Sequence, residues 1–381
     1  MSGGAKRRSR KRRRTGDVGD HGHDGGTDLA RLRALRLRHH RLTAPARTVS
    51  DAARHLLCVQ SQDYWGGRLA IATRTRGGTA SQVDAAYDRG ELVRAWTQRG
   101  TLHTIAARDL RGVLAVTAER TIAQTATRRA QLGLDDATIA RAREAIVSAL
   151  RGGGALTRAE ALALWEAAGI PTAAGRGYHL LFHIALRGVI CWGPTVRRDG
   201  LEPREQRLVL VDEWIPAHES PADPLVEMFA RYVEGHGPAS PEDFAWWAGV
   251  TKGDARRAAA GAAERLATIE ADDATLFVST SPPRRSPAAP STHALPTFEE
   301  YYIAYADRSR VAGFDVMAAA GPGANGMVRS LLVHEGEVVG LWKPPPPTQR
   351  ASAEPTFELL RPAPEEAIHA ALERAMTVLR G

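Results

Sequence analysis

The fold class is decided by one stretch of the sequence, Leu92-Val93-Arg94-Ala95-Trp96-Thr97-Gln98-Arg99-Gly100-Thr101-Leu102-His103-Thr104-Ile105. Its two apolar runs are typical of β-strands, and Gly100 marks the turn between them. The preceding sequence predicts helices: one from the leucine spacing over 29–42, one capped by Ser50, and one over 81–88. Helices followed by a hairpin are typical of a winged-helix unit.

The same order of elements recurs in the next part of the chain. Helices are predicted over 155–165 and 177–187. The apolar runs 189–192 and 207–211 then predict a second hairpin, and the loop between them is rich in Gly and Arg. This stretch therefore predicts a second winged-helix unit.

A third unit is predicted where Ser240-Pro241 has the pattern of a helix start, with a capping residue before a proline. A helix over 252–267 and a strand over 274–278 complete it. Trp246 and Trp247 fall at helical positions, which favours core packing over stacking on a base.

The composition changes after a Pro-rich linker over 281–296. Short strands are predicted over 330–334, 337–342 and 356–360, followed by a helix from about Pro364. We therefore expect an α+β chain with a small β-barrel-like C-terminal module. The predicted division is a basic leader, three tandem winged-helix units and this module: 1–26, 27–135, 136–222, 223–281 and 282–381.

The net charge of +8 is concentrated at the N-terminus. Residues 1–14 contain eight basic side chains and no acid, so the remaining chain has 43 basic and 43 acidic residues. Such a block of like charge is expected to be disordered. Two readings of this leader are open: an arm that contacts phosphates without sequence preference, or a solvated extension without a role.

Several classes of protein are excluded by what the sequence lacks. Cys58 and Cys191 are the two cysteines, which rules out a disulfide framework or a cysteine-rich zinc site. There is no run of about 18 apolar residues and no signal peptide, so we expect a cytoplasmic protein. Phosphate-binding glycine loops, HExxH motifs and nucleophile elbows are also missing, and we predict neither a cofactor nor a metal.

Four stretches together resemble the AlkZ/YcaQ family of winged-helix DNA glycosylases: 57–63 (LCVQSQD), 94–103 (RAWTQRGTLH), 237–244 (GPASPEDF) and 305–309 (YADRS). Each stretch is short, but their order and spacing cover nearly everything after residue 30. The resemblance implies a C-shaped body of tandem winged helices closed by a β-barrel-like module.

The resemblance implies that Gln60 and Gln62 carry catalysis, since they match the Gln-x-Gln motif of the family. Read without it, they are two surface amides near a helix end. A sister branch has Gln-x-Asp, so this bacterial chain resembles the AlkZ branch, associated with bulky N7-alkylguanine adducts, interstrand crosslinks and genotoxin self-resistance. Residues two apart do not share a helical face, so we expect the motif at a helix terminus near a break at Gly66-Gly67.

Two carboxamides suit this chemistry. An N7-alkylated purine is already cationic and departs as a neutral base, so the reaction needs little help from a general acid. The sugar develops oxocarbenium character, and amide oxygens can hold the attacking water and face that positive charge. The lack of an obvious catalytic lysine favours a monofunctional, hydrolytic glycosylase over a Schiff-base lyase.

Other candidate site residues each have two readings. Asp63 either orients or deprotonates the water, or acts as a helix cap or ion-pair partner. His103 either contacts DNA or orients the motif, or is a satisfied structural histidine. Four arginines are predicted to bind DNA: Arg99, Arg308, Arg197 and Arg198. For Arg99 and Arg308, internal ion pairing is the alternative to a phosphate contact.

The leading hypothesis is thus a DNA glycosylase that excises N7-alkylated purines from double-stranded DNA, as a monomer associated with the nucleoid. Its wing hairpins would probe the minor groove. The alternative is a non-catalytic winged-helix transcription regulator. A regulator is expected to place a recognition helix in the major groove and to bind one sequence as a symmetric dimer, which three tandem units fit poorly.

Overall fold

The computed structural model describes residue 1 and residues 25–197, 205–219, 221–271, 274–323, 326–350 and 352–380. Arg198 and residues 2–24 of the predicted leader lie outside the described residues. The first helix begins at Gly25, so the last two residues of the predicted leader are helical.

Helices make up the larger part of the described chain. In chain order they are α1 (Gly25–His39), α2 (Val49–Leu56), α3 (Tyr64–Thr73), α4 (Ala80–Asp88), α5 (Leu110–Gln124), α6 (Ala126–Gln131), α7 (Asp136–Leu150), α8 (Arg158–Ala167), α9 (Arg176–Leu186), α10 (Val211–Trp214), α11 (Pro224–His236), α12 (Pro241–Ala248), α13 (Lys252–Ala262), α14 (Glu300–Ile303), α15 (Phe314–Ala320) and α16 (Glu365–Arg380). Within the described ranges, no helix is both long and apolar enough to cross a membrane.

The strands are short and pair in an antiparallel manner. They are β1 (Val59–Gln60), β2 (Leu92–Trp96), β3 (Leu102–Ala106), β4 (Ile190–Thr195), β5 (Gln206–Leu210), β6 (Leu266–Ala271), β7 (Ala274–Ser279), β8 (Thr292–Leu295), β9 (Ser330–His334), β10 (Glu337–Lys343) and β11 (Thr356–Leu359). This mixture of helices and strands confirms the coarse fold class. The winged-helix assignment of the units stays a prediction.

The largest sheet has the strand order β1-β3-β2-β4-β5. Arg94 of β2 pairs with Trp192 of β4, so the hairpins of the first two predicted units share one sheet. Side chains of β2 alternate between two cores: Leu92 packs with α2 and α4, whereas Val93 packs with α5 and α9. The β2–β3 hairpin is therefore covered on both faces and is not an exposed wing that can enter a DNA groove.

The predicted third unit contains α11, α12, α13 and the two-stranded hairpin β6–β7. The start of α12 is as the sequence predicts: Ser240 caps it, Pro241 is its first residue, and Asp243 completes a capping box. Gly249 ends it in the left-handed conformation. The predicted helix over 252–267 is too long, because its last residues form β6.

The C-terminal sheet has the order β11-β10-β9-β8. Strand β8 lies inside the segment 281–296 that the sequence analysis assigned to a linker. In the described residues β8 and β11 are the two edges of an open sheet, so the expected closed, barrel-like module is not observed. Helix α16 packs against both β8 and α3, which connects this sheet to the N-terminal part of the chain.

Candidate active site

The Gln-x-Gln motif lies where β1 gives way to α3. Gln60 ends β1, and Gln62 stands in the connection before Tyr64 begins the helix. The sequence pattern predicted the motif at the end of the preceding helix, but α2 already ends at Leu56 and Gln60 lies in a strand, so only Gln62 stands next to a helix terminus. The expected break at Gly66-Gly67 is wrong, since both residues lie inside α3.

The two glycines of α3 permit a close approach instead. A Cβ atom at Gly67 would lie 2.2 Å from Ser61 Oγ, and one at Gly66 would lie 3.0 Å from Thr297 Oγ1. A side chain at either position would push the first turn of α3 away from its neighbours. The glycines therefore let this turn lie directly against the motif and against the segment before α14.

Gln60 is held at both its main chain and its side chain. It is 7% exposed and pairs with His103 of β3. Its backbone N–H donates to Glu300 Oε1 at 2.8 Å. Its side-chain Oε1 accepts from Arg99 Nη2 at 3.2 Å. These contacts fix the direction in which the carboxamide points.

Gln62 is the exposed member of the pair. Its Oε1 accepts from the Leu102 N–H at 3.2 Å, and its backbone oxygen accepts from Arg94 Nη2 at 3.2 Å. A carboxamide has two acceptor sites on oxygen and two N–H donors. Each motif glutamine thus uses one oxygen site internally and retains further hydrogen-bonding capacity.

Asp63 precedes the first residue of α3 but does not cap it through its side chain. Its Oδ2 accepts a hydrogen bond of 3.0 Å from Thr297 Oγ1. The carboxylate therefore connects the motif to the segment before α14. This contact is neither a helix cap nor an ion pair, the two structural roles that the sequence suggested.

His103 is completely buried behind Gln60. Its Nδ1 lies 2.9 Å from Thr97 Oγ1 and 3.1 Å from the Thr101 carbonyl oxygen. Burial lowers the pKa of His103 to about 4, so the imidazole is neutral at physiological pH. With no exposed surface it makes no direct DNA contact, and its strand position lies opposite Gln60.

Arg99 points inward and joins the motif to the end of α12. Its Nη1 donates to the carbonyl oxygens of Trp247 and, at 3.3 Å, Trp246. These carbonyls are in the last turn of α12, where helical carbonyls lack intrahelical partners. Burial lowers the pKa of the Arg99 guanidinium, and the charge of Glu300 opposes that shift. Of the two readings for Arg99, the structure favours the internal contact.

Glu300 is the site residue that the sequence analysis missed. It is 1% exposed, begins α14, and contacts Gln60 across a separation of 240 residues. Its second oxygen, Oε2, accepts from Trp247 Nε1 at 3.0 Å. The adjacent pair Glu299-Glu300 in an otherwise apolar stretch was the available signal, but it does not reveal a partner so distant in sequence.

Comparison with known families identifies the chain. A model of the AlkZ-like DNA glycosylases matches residues 53–378, which include the whole site. The chain belongs to the AlkZ-like DNA glycosylase family. Among solved structures, the protein is similar to the Streptomyces sahachiroi DNA glycosylase AlkZ, with a TM-score of 0.73 and 20% identity over 91% of this chain and 96% of that one. At this identity the likeness shows the fold. Comparison with curated proteins gave no match.

The predicted DNA-binding arginines of this glycosylase have different surroundings. Arg308 is half-buried: its Nε donates to the Tyr302 carbonyl oxygen at 3.1 Å, and its guanidinium lies 5.1 Å from the ring centre of Trp246. Arg197 is 67% exposed and pairs with Asp88 at 2.5 Å. Arg198 lies outside the described residues.

The two tryptophans of α12 also differ in their exposure to solvent. Trp247 is fully buried and donates to Glu300, as the prediction of core packing requires. Trp246 is 43% exposed, so that prediction is wrong for it. Its Nε1 donates to the Ile303 carbonyl oxygen at 3.0 Å, which fixes the indole beside Arg308. An oriented aromatic and a guanidinium thus border the site.

Proposed function

We propose that this glycosylase hydrolyses the N-glycosidic bond of N7-alkylated purines in double-stranded DNA, including bulky adducts and interstrand crosslinks. The observation that carries the proposal is the placement of the motif in a chain of the AlkZ-like family: Gln60 is anchored at the end of β1, and Gln62 is exposed just before α3. The third motif position is glutamine, and this favours bulky N7 adducts over the substrates of the Gln-x-Asp branch.

The proposed division of work follows from the contacts of each amide. Gln60 is fixed by two hydrogen bonds, so its carboxamide is preorganised. Little reorganisation energy is therefore needed as positive charge develops on the sugar. Gln62 is exposed and reaches the DNA side, where its free oxygen site and N–H donors hold water. The cationic purine leaves as a neutral base, so a general acid is not needed.

Asp63 and His103 support this site in the proposal. Asp63 anchors the motif through Thr297, and His103 backs Gln60 as a neutral imidazole. None of the described contacts of Gln60 or Gln62 involves a lysine, which supports monofunctional hydrolysis. Sodium borohydride should accordingly trap no covalent complex between the enzyme and damaged DNA.

The test is single-turnover release of 7-methylguanine from methylated duplex DNA, followed by unhooking of a nitrogen-mustard crosslink. Wild type should leave an abasic site in the first assay and separate the strands in the second. Gln60→Ala and Gln62→Ala should each lower the rate constant by about 10²-fold. Their affinity for duplex DNA should stay close to that of wild type.

The matched control is Gln131→Ala, which removes an exposed glutamine of α6 far along the chain from the motif. It should retain the wild-type rate constant. Release of neither adduct by folded wild type would overturn the proposal. Tight binding of one undamaged sequence by a dimer would support the regulator instead.

The proposal includes a setting for the activity. The enzyme would act as a monomer on chromosomal DNA in the bacterial cytoplasm, close to the nucleoid, and would protect its host against an alkylating genotoxin. Light scattering of the purified protein measures the first point. Sensitivity of a deletion strain to nitrogen mustards measures the last.

A further inference from the structure

Glu300 is a buried carboxylate to which the mechanism above gives no part. It is 1% exposed, and both of its oxygens accept hydrogen bonds: Oε1 from the Gln60 N–H at 2.8 Å and Oε2 from Trp247 Nε1 at 3.0 Å. Burying an ionised carboxylate is costly unless it is paired and hydrogen-bonded. Packing alone does not explain a carboxylate in this position, so a functional role is to be expected.

The surroundings keep Glu300 charged. Burial acts to raise its pKa, but the contacts with His236 and with the Gln60 N–H act in the opposite direction, and the pKa lies below its ordinary value. His236 Nε2 lies 3.6 Å from the Glu300 carboxylate. Glu300 therefore places a negative charge directly behind the motif.

Arg99 holds Gln60 from the other side. Glu300 binds the backbone of Gln60 and the indole of Trp247, whereas Arg99 binds the side chain of Gln60 and the backbone of Trp247. The two charged groups thus form a clamp on one glutamine. A guanidinium alone behind this amide would oppose a developing oxocarbenium ion, since both are positive. The carboxylate offsets that charge.

We propose that Glu300 is a positioning residue for base release: it fixes the backbone of Gln60 and neutralises Arg99 behind the amide. The inference rests on the proposed function, because it assigns Glu300 a role only through a Gln60 that acts on the glycosidic bond. It predicts an effect on the rate constant of the chemical step and none on the affinity for DNA.

The test compares Glu300→Ala and Glu300→Gln with wild type in single-turnover release of 7-methylguanine at saturating enzyme. The alanine variant loses both the charge and the acceptor for Gln60, so its rate constant should fall by about 100-fold. The glutamine variant keeps one acceptor and the shape but loses the charge, so it should fall by about 10-fold. The half-saturating enzyme concentration should stay within about twofold of wild type for both.

A double-mutant cycle with Gln60→Ala separates positioning from a merely structural role. If Glu300 acts through Gln60, Glu300→Gln should cause a smaller loss of rate in the Gln60→Ala background than in wild type, and the loss that remains is due to the unopposed charge of Arg99. A structural defect would instead multiply the two losses. Additive losses in free energy would therefore overturn the inference.

Glu299→Gln is the matched control. Glu299 is also buried, precedes Glu300, and pairs with Arg74 without touching the motif. Its variant should retain the wild-type rate constant per folded molecule, measured at a temperature where circular dichroism shows it folded. If Glu300→Ala does not fold, Glu300→Gln and the double-mutant cycle with Gln60→Ala still test the role of Glu300. Wild-type rates in folded Glu300 variants would refute the role of Glu300, whereas an inactive wild type would refute the proposed function itself.

Discussion

Replacing Arg99 distinguishes between its two roles, phosphate contact and internal support. Arg99→Ala removes the hydrogen bond to Gln60 Oε1 and the two bonds to the end of α12. If the contacts of Arg99 are internal, its guanidinium is bound within the protein and does not contact a phosphate of the DNA. We therefore expect the variant to bind DNA normally and to release base slowly.

The magnitude follows from the bond that reaches the motif. A hydrogen bond from a charged donor contributes about 1.5–3 kcal/mol, and the one to Gln60 is fairly long at 3.2 Å. If that contribution is realised in the transition state, the rate constant falls by about 10-fold to about 150-fold, with the lower end expected. The other two bonds affect the stability of α12.

The assay pairs single-turnover kinetics with binding to duplex DNA across a range of salt concentrations. A lost phosphate contact reduces the slope of log K against log salt by about 0.9, whereas internal support leaves the slope unchanged. Arg99→Lys sharpens the comparison: lysine keeps a charge for a phosphate but cannot bridge Gln60 and two carbonyls. A reduced slope in Arg99→Ala, restored by lysine together with the wild-type rate, would refute the internal assignment.

Three further predictions concern stability and DNA binding. Glu299→Gln leaves the fully buried Arg74 without its carboxylate and should lower the free energy of unfolding by about 3–5 kcal/mol in urea titrations; a loss below about 1 kcal/mol would contradict this. Arg308→Ala should weaken DNA binding and reduce the salt slope by about 1 while the saturated rate constant stays constant; an unchanged slope would show that Arg308 touches no phosphate. Burial lowers the pKa of His55 to about 3 in the folded state, whereas the unfolded chain titrates at the ordinary value of 6.5. The contribution of neutral His55 to stability is therefore full above pH 6.5 and is lost as the pH falls toward 3. His55→Gln should remove about 1.4 kcal/mol per pH unit from the slope of stability between pH 4 and 6, and identical slopes would exclude this.

The sequence pattern correctly predicted those elements that are determined by residues close together in the sequence. The strands of the 92–105 hairpin, the cap of α12 by Ser240 and the strands β9 and β10 all follow from residues adjacent in sequence. The cap of α2 shows the limit of that reasoning. Thr48 rather than Ser50 accepts the N–H of Asp51, and Ser50 in the first turn donates to Glu91.

The features that could not be predicted from the sequence depend on contacts between residues far apart in the chain. Gly66 and Gly67 have the pattern of a helix break, but they lie within a helix, where Ser61 leaves no room for a Cβ at position 67 and Thr297 leaves little room at position 66. Nothing near Glu300 in sequence indicates that it binds Gln60. The two-sided burial of the first hairpin is equally non-local, since part of its cover comes from α9, which begins 70 residues after the end of β3.

The clamp on Gln60 also limits how this enzyme can be divided. The first predicted unit contains Gln60, Gln62 and Arg99, yet Thr297 and Glu300 come from the C-terminal part of the chain. A fragment that ends before β8 would retain the entire sequence motif without two of its anchors. The candidate site is therefore not a transplantable module: grafting it onto another scaffold requires the segment from β8 to α14 as well as the motif.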